Sequence, residues 1–375
     1  MTSTIRRVLI IGGGFTGTSA AILLKKQGLT VDLVELDPNW RTDGAGITVS
    51  GPSLRAIEQI GILEEFRLQG ALTNNVDMYT ADGQYLRQIP TPPVPGSSIS
   101  GGGGIMRPVL AGILNKATVA AGVNTRLGLT YESIEQNEQG VSVTFTDGTH
   151  SEYDAVLACD GVNSQTRQQF FPNAANPSYT GQVVWRAVLE RDGLPRPAMF
   201  FGPNGKLGFT PVSDTKMYLH YTEETPTKKR VPKEQRIDYL KELIAPFSAP
   251  AVEKVKKDLN EDSHVLARFL EGMIVERPWS NNRILLMGDA VHATTPHLAS
   301  GAGMGHEDAV VIAEEIANGG TVQEIFKRFE DRRWARCSLI VNQSRRLGEI
   351  ERLGGSKIEH IQIMALSMSA LMAPI

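Results

Sequence analysis

Near the N-terminus, short apolar runs that end in glycine alternate with stretches of helical period. Residues 7–12 (RVLIIG) predict a buried strand closed by glycine. Residues 14–27 predict a helix, with alanines and leucines at helical spacing and Gly28 as its stop. Residues 31–35 predict a second strand, which completes a βαβ unit and implies a parallel sheet. A helix is expected over 53–68. The Pro/Gly/Ser-rich stretch 90–104 (PTPPVPGSSISGGGG) is expected to be a loop outside any core. Pro108 opens another helix, with Leu110, Ile113, Leu114 and Ala117 on one face. Strands are expected over 141–145, 153–159, 182–189 and 217–221, and helices over 233–243 and 251–259. Residues 284–287 form a further buried strand, followed by a helix over 306–318 that Gly319 and Gly320 stop.

Composition narrows the class. The 375 residues are 41% hydrophobic and carry a net charge of -3, enough for a full core and no basis for a nucleic-acid surface. The densest basic cluster, Lys228 to Arg230, reads as a solvated loop. Two cysteines, Cys159 and Cys337, without metal-ligand spacing, suit a reducing compartment, and no metal is expected. No signal-peptide pattern or apolar run of about 20 residues occurs, so the cytoplasm is the expected location, with no membrane contact. The apolar tail 364–375 is expected to pack against the body.

Two distant segments carry cofactor chemistry. Gly12-x-Gly14-x-x-Gly17 follows a strand and opens a helix, an arrangement that gives a tight turn, close backbone approach to a pyrophosphate, and close helix–strand packing. Phe15 and Thr16 lie inside this motif. Glu35 closes the second strand, near the spacing of about 20 residues at which a carboxylate holds a ribose hydroxyl pair. The second segment is Met287-Gly288-Asp289-Ala290, leading through His292 and Pro296 to Gly301, Ala302, Gly303 and Gly305. A carboxylate leaving a strand can hold a ribityl chain, and a glycine-rich helix start offers N–H groups to a reduced isoalloxazine. The pair selects FAD over NAD, which has no ribityl chain.

With these motifs in order, the chain resembles the class A flavoprotein aromatic monooxygenases, the para-hydroxybenzoate hydroxylase fold group that includes salicylate, 6-hydroxynicotinate and urate hydroxylases. The resemblance covers nearly the whole chain. It rests on Arg107-Pro108, on Asp160-Gly161 continuing to Ser164 and Arg167, on the stretch 44–48 (GAGIT), and on residues 288–309 (GDAVHATTPHLASGAGMGHEDA). It adds Arg41, Ala45, Gly46, Arg107 and Asp160 to the cofactor residues, and places Pro296 beside the flavin. Ser300 stands where many relatives carry Gln, which removes any contact from that longer side chain.

The resemblance implies an α/β fold: a Rossmann-like FAD-binding domain with a parallel sheet (1–75, 101–174 and 265–335), an inserted β-sheet substrate domain (76–100 and 175–264), and a C-terminal helical segment (336–375). It implies a transient NADH or NADPH, with no second glycine motif to bind it, and O₂ as co-substrate. Hydride would reduce FAD, and a hydroperoxide on flavin C4a would then hydroxylate a small aromatic or N-heteroaromatic ring. A flavin dehydrogenase/reductase or halogenase on the same fold is the alternative, and a non-catalytic FAD-binding protein a third. The Trp-x-Trp-x-Ile-Pro segment of halogenases is absent. The protein is expected to act as a monomer or homodimer.

His297, beside Pro296, is the candidate catalytic base, with loop capping as its alternative role. His292 is expected to pack structurally and His306 to cap its helix. Thr48 and, on the inserted sheet, Trp185, Phe209, Tyr218 and His220 are candidate substrate contacts. Trp185 is weighed more heavily as sheet core, and alternation leaves open which of the others face the pocket.

Overall fold

The computed structural model describes residues 3–192 and 194–375. A six-stranded sheet runs in the order Ser280–Asn281, Ile284–Leu286, Ala155–Ala158, Arg7–Ile11, Thr30–Glu35, Asn124–Leu127. All its neighbours are parallel except the first pair. Its strands are near-continuous apolar runs because helices cover them, as a parallel sheet requires.

The chain leaves Arg7–Ile11 toward one edge and later returns on the other side at Ala155–Ala158. The strand order therefore reverses between these two strands. Crevices form at the carboxyl ends of parallel strands at such a point. Gly12, Cys159-Asp160 and Met287-Gly288-Asp289 all leave carboxyl ends of adjacent strands. This topology is what brings three segments far apart in sequence to one place.

A seven-stranded, largely antiparallel sheet is built from Leu266–Gly272, Ser178–Glu190, Lys216–Glu224, Gly205–Pro211, Ala198–Gly202, Asn75–Thr80 and Tyr85–Pro90. Its edge strand, Leu266–Gly272, falls in the stretch assigned by sequence to the cofactor unit. Helices Arg236–Leu243 and Pro250–Asp258 cover its outer face, and Leu240, Phe247 and Val252 join its core. Two three-stranded sheets complete the β-structure.

Four sequence expectations need correction. The helix over 53–68 is two helices, Gly51–Ile60 and Leu63–Gln69, because Gly61 takes a left-handed conformation (φ 89°) between them. The expected loop 90–104 ends in a buried strand, Gly102–Met106, at the centre of the sheet with Gly46–Ser50 and Ala71–Thr73. Glycine is what permits this: a Cβ on Gly103 would lie 2.5 Å from the Ala71 carbonyl oxygen, and one on Gly104 2.4 Å from that of Pro211. The helix expected from 306 begins at Gly301 and runs to Ala317, so its glycines lie inside it. The C-terminal segment does not begin at 336, since one helix spans Val322–Leu353 before Lys357–Met372.

The apolar tail packs on the body, with Leu371 in the main core, Met364 and Ile375 against it, and Arg55 donating to the Met372 and Ala373 carbonyls. No helix among the described residues is long and apolar enough to cross a membrane.

Candidate active site

Gly12 has φ 102°, and a Cβ there would lie 2.4 Å from the Cys159 carbonyl oxygen. Gly17 is equally constrained, its Cβ position lying 2.0 Å from the Gly12 carbonyl oxygen. Gly14 is different: nothing lies within 4 Å of a Cβ placed there. It is the N-cap of helix Phe15–Lys26 and gives that helix no side-chain cap. The first-turn N–H groups therefore face open space at the positive end of the helix dipole.

Glu35 accepts from Gly13 N and Asp37 N, both at 2.8 Å, which aims its carboxylate beside the glycine turn. Trp40 was not among the sequence candidates. Its Nε1 donates to the Gly13 carbonyl at 2.8 Å, closing the turn from outside. Arg41 is exposed and paired with Asp37 at 3.0 Å, so its side chain is directed at that carboxylate. Thr16 also has a packing role: Cβ atoms on Gly288 and Gly305 would lie 2.4 and 2.2 Å from its Oγ1.

At the second strand end, Asp160 Oδ2 accepts from Thr166 N and Thr166 Oγ1 at 3.0 and 2.9 Å, which holds helix Gln165–Phe170. Its Oδ1 is buried without a hydrogen-bond partner among the described residues. Arg167 ties this segment to the third, donating to the Ala290 carbonyl at 2.9 Å and the Val162 carbonyl at 2.8 Å.

At the third strand end, Gly288 has φ 61° and Asp289 is exposed to the cleft, accepting no hydrogen bond among the described residues. Arg107 faces it as a countercharge; desolvation lowers the guanidinium pKa and Asp289 partly restores it. Arg107 N donates to the Ala45 carbonyl at 2.9 Å, and the guanidinium lies 5.2 Å from the Phe15 ring centroid. Gly44 leaves the space for this side chain, since a Cβ there would lie 2.8 Å from Arg107 Cδ.

Helix Gly301–Ala317 also starts without a side-chain cap, because Ser300 Oγ donates instead to the Leu298 carbonyl at 2.7 Å. His306 is not a cap. It sits buried inside this helix, 2.8 Å from Ser19 Oγ and stacked on Phe15 at 5.8 Å. His292 is structural as expected, its Nε2 2.7 Å from buried Asp308, which also accepts from Gly288 N and Arg333 Nε at 2.8 Å. His292, Asp308 and Cys337 cluster, but the Arg333 guanidinium already occupies the cation position beside Asp308.

The seven-stranded sheet presents one face to this cleft. Trp185 and Phe209 lie on the other face: both are buried in the outer core, and Trp185 Nε1 donates to Glu223 at 2.7 Å. As substrate contacts they are therefore overturned, because alternation turns them toward the covering helices. Tyr218 and His220 face inward. Tyr218 OH lies 2.6 Å from Thr48 Oγ1, which is 3.3 Å from Thr210 Oγ1, and Gly46 is bare where the Tyr218 ring packs.

His220 pairs across the ladder with Arg186, and burial pushes its pKa down to about 4. Arg186 and Arg268 sit on the same face of neighbouring strands, and neither has an ion-pair or hydrogen-bond partner among the described residues. Arg268 and Thr210 were missed in the sequence, where nothing but strand register could have singled them out. His297 Nδ1 is 2.9 Å from Thr295 Oγ1, and its buried ring is turned toward Gln182 and Gly348, the placement of a loop-holding residue and not of a base open to the cleft.

The FAD-binding domain family model matches residues 6–344. The chain belongs to that family. A 3-hydroxybenzoate 6-hydroxylase of Polaromonas naphthalenivorans is 28% identical, over 92% of this chain and 87% of its own. A 6-hydroxynicotinate 3-monooxygenase of Bordetella bronchiseptica is 28% identical, over 89% of each. The structure of Klebsiella pneumoniae HpxO complexed with FAD and uric acid superposes with TM-score 0.83 at 22% identity, covering 98% of this chain and 93% of that one.

The residues present suit FAD. Two uncapped helix N-termini, open space at Gly14, an orphaned Asp160 oxygen and a free Asp289 carboxylate facing Arg107 are what a bound dinucleotide would complete. Helix Phe15–Lys26 would take the pyrophosphate, Glu35 the ribose, Asp289 the ribityl chain, and Gly301 to Gly303 the isoalloxazine edge. The chain is an FAD-dependent monooxygenase by family and by this site.

Proposed function

We propose that the protein uses NADH or NADPH and O₂ to hydroxylate a small aromatic or N-heteroaromatic ring that carries an acidic group. The observation that carries this reading is the pair of arginines, Arg186 and Arg268, set beside Tyr218 and His220 on the inward sheet face without a protein anion. Arg268 is exposed and Arg186 half-buried, so both guanidiniums remain open to an anion in the cleft. A substrate carboxylate or ring oxyanion supplies one.

Bound FAD supplies the redox and oxygen chemistry. The chain's residues bind and orient the ring. Arg186 and Arg268 fix the acidic group, and Tyr218 held by Thr48 fixes a second edge. The Pro296 turn holds the backbone between His297 and the helix at Gly301. The cofactor unit and the inserted sheet thus divide the work, with the ring between them.

The test is oxygen uptake by FAD-loaded protein with NADH or NADPH, across hydroxybenzoates, hydroxylated N-heterocycles and their neutral amides. Acidic substrates should give oxygen uptake and a product bearing one atom from labelled O₂. Reductant oxidation without incorporation would instead establish a flavin reductase. Equal turnover of acids and amides would remove the role assigned to the arginines.

A further inference from the structure

The inward face of the seven-stranded sheet carries His220, and strand register fixes its neighbours. It lies between Arg186 on one side and Gly208 on the other. The imidazole rests over Gly208, where a Cβ would lie 2.1 Å from Cε1 and 2.2 Å from Nε2. The Tyr218 ring stands next to it, with 5.5 Å between centroids. His297 and His306 each have a ring nitrogen enclosed without a hydrogen-bond partner. His220 differs: it is half-buried, forms no hydrogen bond among the described residues, and has neither ring nitrogen enclosed. Its ring edge is therefore open to the cleft.

The surroundings set what that edge offers. A guanidinium donates and never accepts, so Arg107, Arg186 and Arg268 bring only donors. The hydroxyls of Tyr218, Thr48 and Thr210 are engaged with one another. A neutral imidazole carries one lone pair, which makes His220 the acceptor beside Arg186. Desolvation chiefly holds the ring neutral, lowering its pKa to about 4; Arg186 and Lys206 act the same way, and Glu351 opposes them. Lys206 does not occupy the lone pair, because its ammonium is turned to Glu351 at 2.6 Å and to His360 Nε2 at 3.4 Å.

We propose that His220 is a specificity-determining residue, accepting a hydrogen bond from a ring hydroxyl or ring N–H while Arg186 beside it takes the acidic group. The preferred substrates are then aromatic acids that also carry a proton donor on the ring. The inference rests on the acidic-ring reading above and deepens it. An acid without that donor satisfies the arginines but leaves the imidazole lone pair against an apolar ring and deprived of water, which costs affinity. A donor at that position restores the bond, and the polarised hydroxyl feeds electron density into the ring. The discrimination requires no proton to leave the substrate.

The experiment is titration of FAD-loaded protein with the isomeric monohydroxybenzoates, each beside the corresponding fluorobenzoate, followed by the flavin absorbance change. Fluorine is close to the hydroxyl in size and cannot donate. At least one hydroxybenzoate should bind wild type about tenfold more tightly than its fluoro counterpart. His220→Leu should abolish that ratio by weakening the hydroxy acid alone, and His220→Asn, which keeps an acceptor, should retain part of it. Arg186→Met should weaken both acids of the pair and leave their ratio unchanged. Gly208→Ala, whose methyl displaces the imidazole, should also reduce the ratio, and it decides if His220→Leu fails to hold FAD. A wild-type ratio near one, or a ratio unchanged in the deciding variant, overturns the proposal and leaves the acidic-ring reading standing. Absence of any binding by these acids overturns both.

Discussion

Gly14 and Gly17 belong to one motif, and the space around each separates their roles. A methyl at Gly17 would collide with backbone, whereas one at Gly14 meets nothing in the protein and φ there is an ordinary -75°. Gly14→Ala should therefore fold with an unchanged melting temperature as apoprotein and lose most bound FAD. Gly17→Ala should lose folding itself. Flavin absorbance per protein and thermal melts of the two variants check this. Asp289→Ala removes a carboxylate that none of the described residues engages by hydrogen bond, so it should cost FAD occupancy and leave apoprotein stability within about 0.5 kcal/mol. Full FAD occupancy in this variant would remove the ribityl role.

The motif glycines were legible in the sequence because each is dictated locally, by a turn or a close backbone approach. Arg268 and Thr210 were not, because only strand register places them beside Arg186 and Thr48. Trp185 and Phe209 show the same limit. Alternation says that half of a strand faces each way, and only the covering helices decide which half is outside.

Between elements, the decisive contact is helix on helix. Phe15–Lys26 and Gly301–Ala317 meet where Thr16 Oγ1 fills the space of absent side chains at Gly288 and Gly305. This close approach lets both helices direct uncapped N-termini at one cofactor. Gly305→Ala should destabilise by about 1–3 kcal/mol through overpacking against Thr16. Adding Thr16→Ala should recover part of that loss. A denaturant double-mutant cycle checks it, and additive effects would show that the two do not share the space. The helix starting at Gly301 was expected from His306, since glycines read as a loop when their packing partner is unknown. Gly102 to Gly104 were misread for the same reason, with a neighbouring backbone in place of a side chain.

In the whole molecule, burial sets a pH limit. His306 is buried and His220 half-buried, and desolvation lowers their pKa values to about 4 from an ordinary value near 6.5. Both rings are neutral in the folded and unfolded chain above that ordinary value. As pH falls below it, the unfolded chain takes up the protons first, so stability declines between about 6.5 and 4, by up to about 1.4 kcal/mol per pH unit for each ring. His292, its pKa raised by Asp308 against the cost of burial, adds little slope there because it is protonated in both states. Melting temperatures of the FAD-loaded protein should fall from pH 6.5 to 4.5, and His306→Gln should reduce that slope. A slope equal to wild type would mean that the His306 ring is hydrated or already charged.

The sequence by itself determined the local elements assigned to the flavin, because turns, helix starts and strand-ending carboxylates are local chemistry that short motifs specify. It also determined that a parallel sheet carries them. The tertiary structure alone decided what meets across distance. Strand order reverses between Arg7–Ile11 and Ala155–Ala158, which gathers three motifs at one crevice. Strand register then turns Tyr218, His220, Arg186 and Arg268 inward and Trp185 outward, and the last helices bring Glu351 to His297. These are non-local pairings, fixed by the packing of whole sheets and helices and by no pattern in their own neighbourhood of the chain.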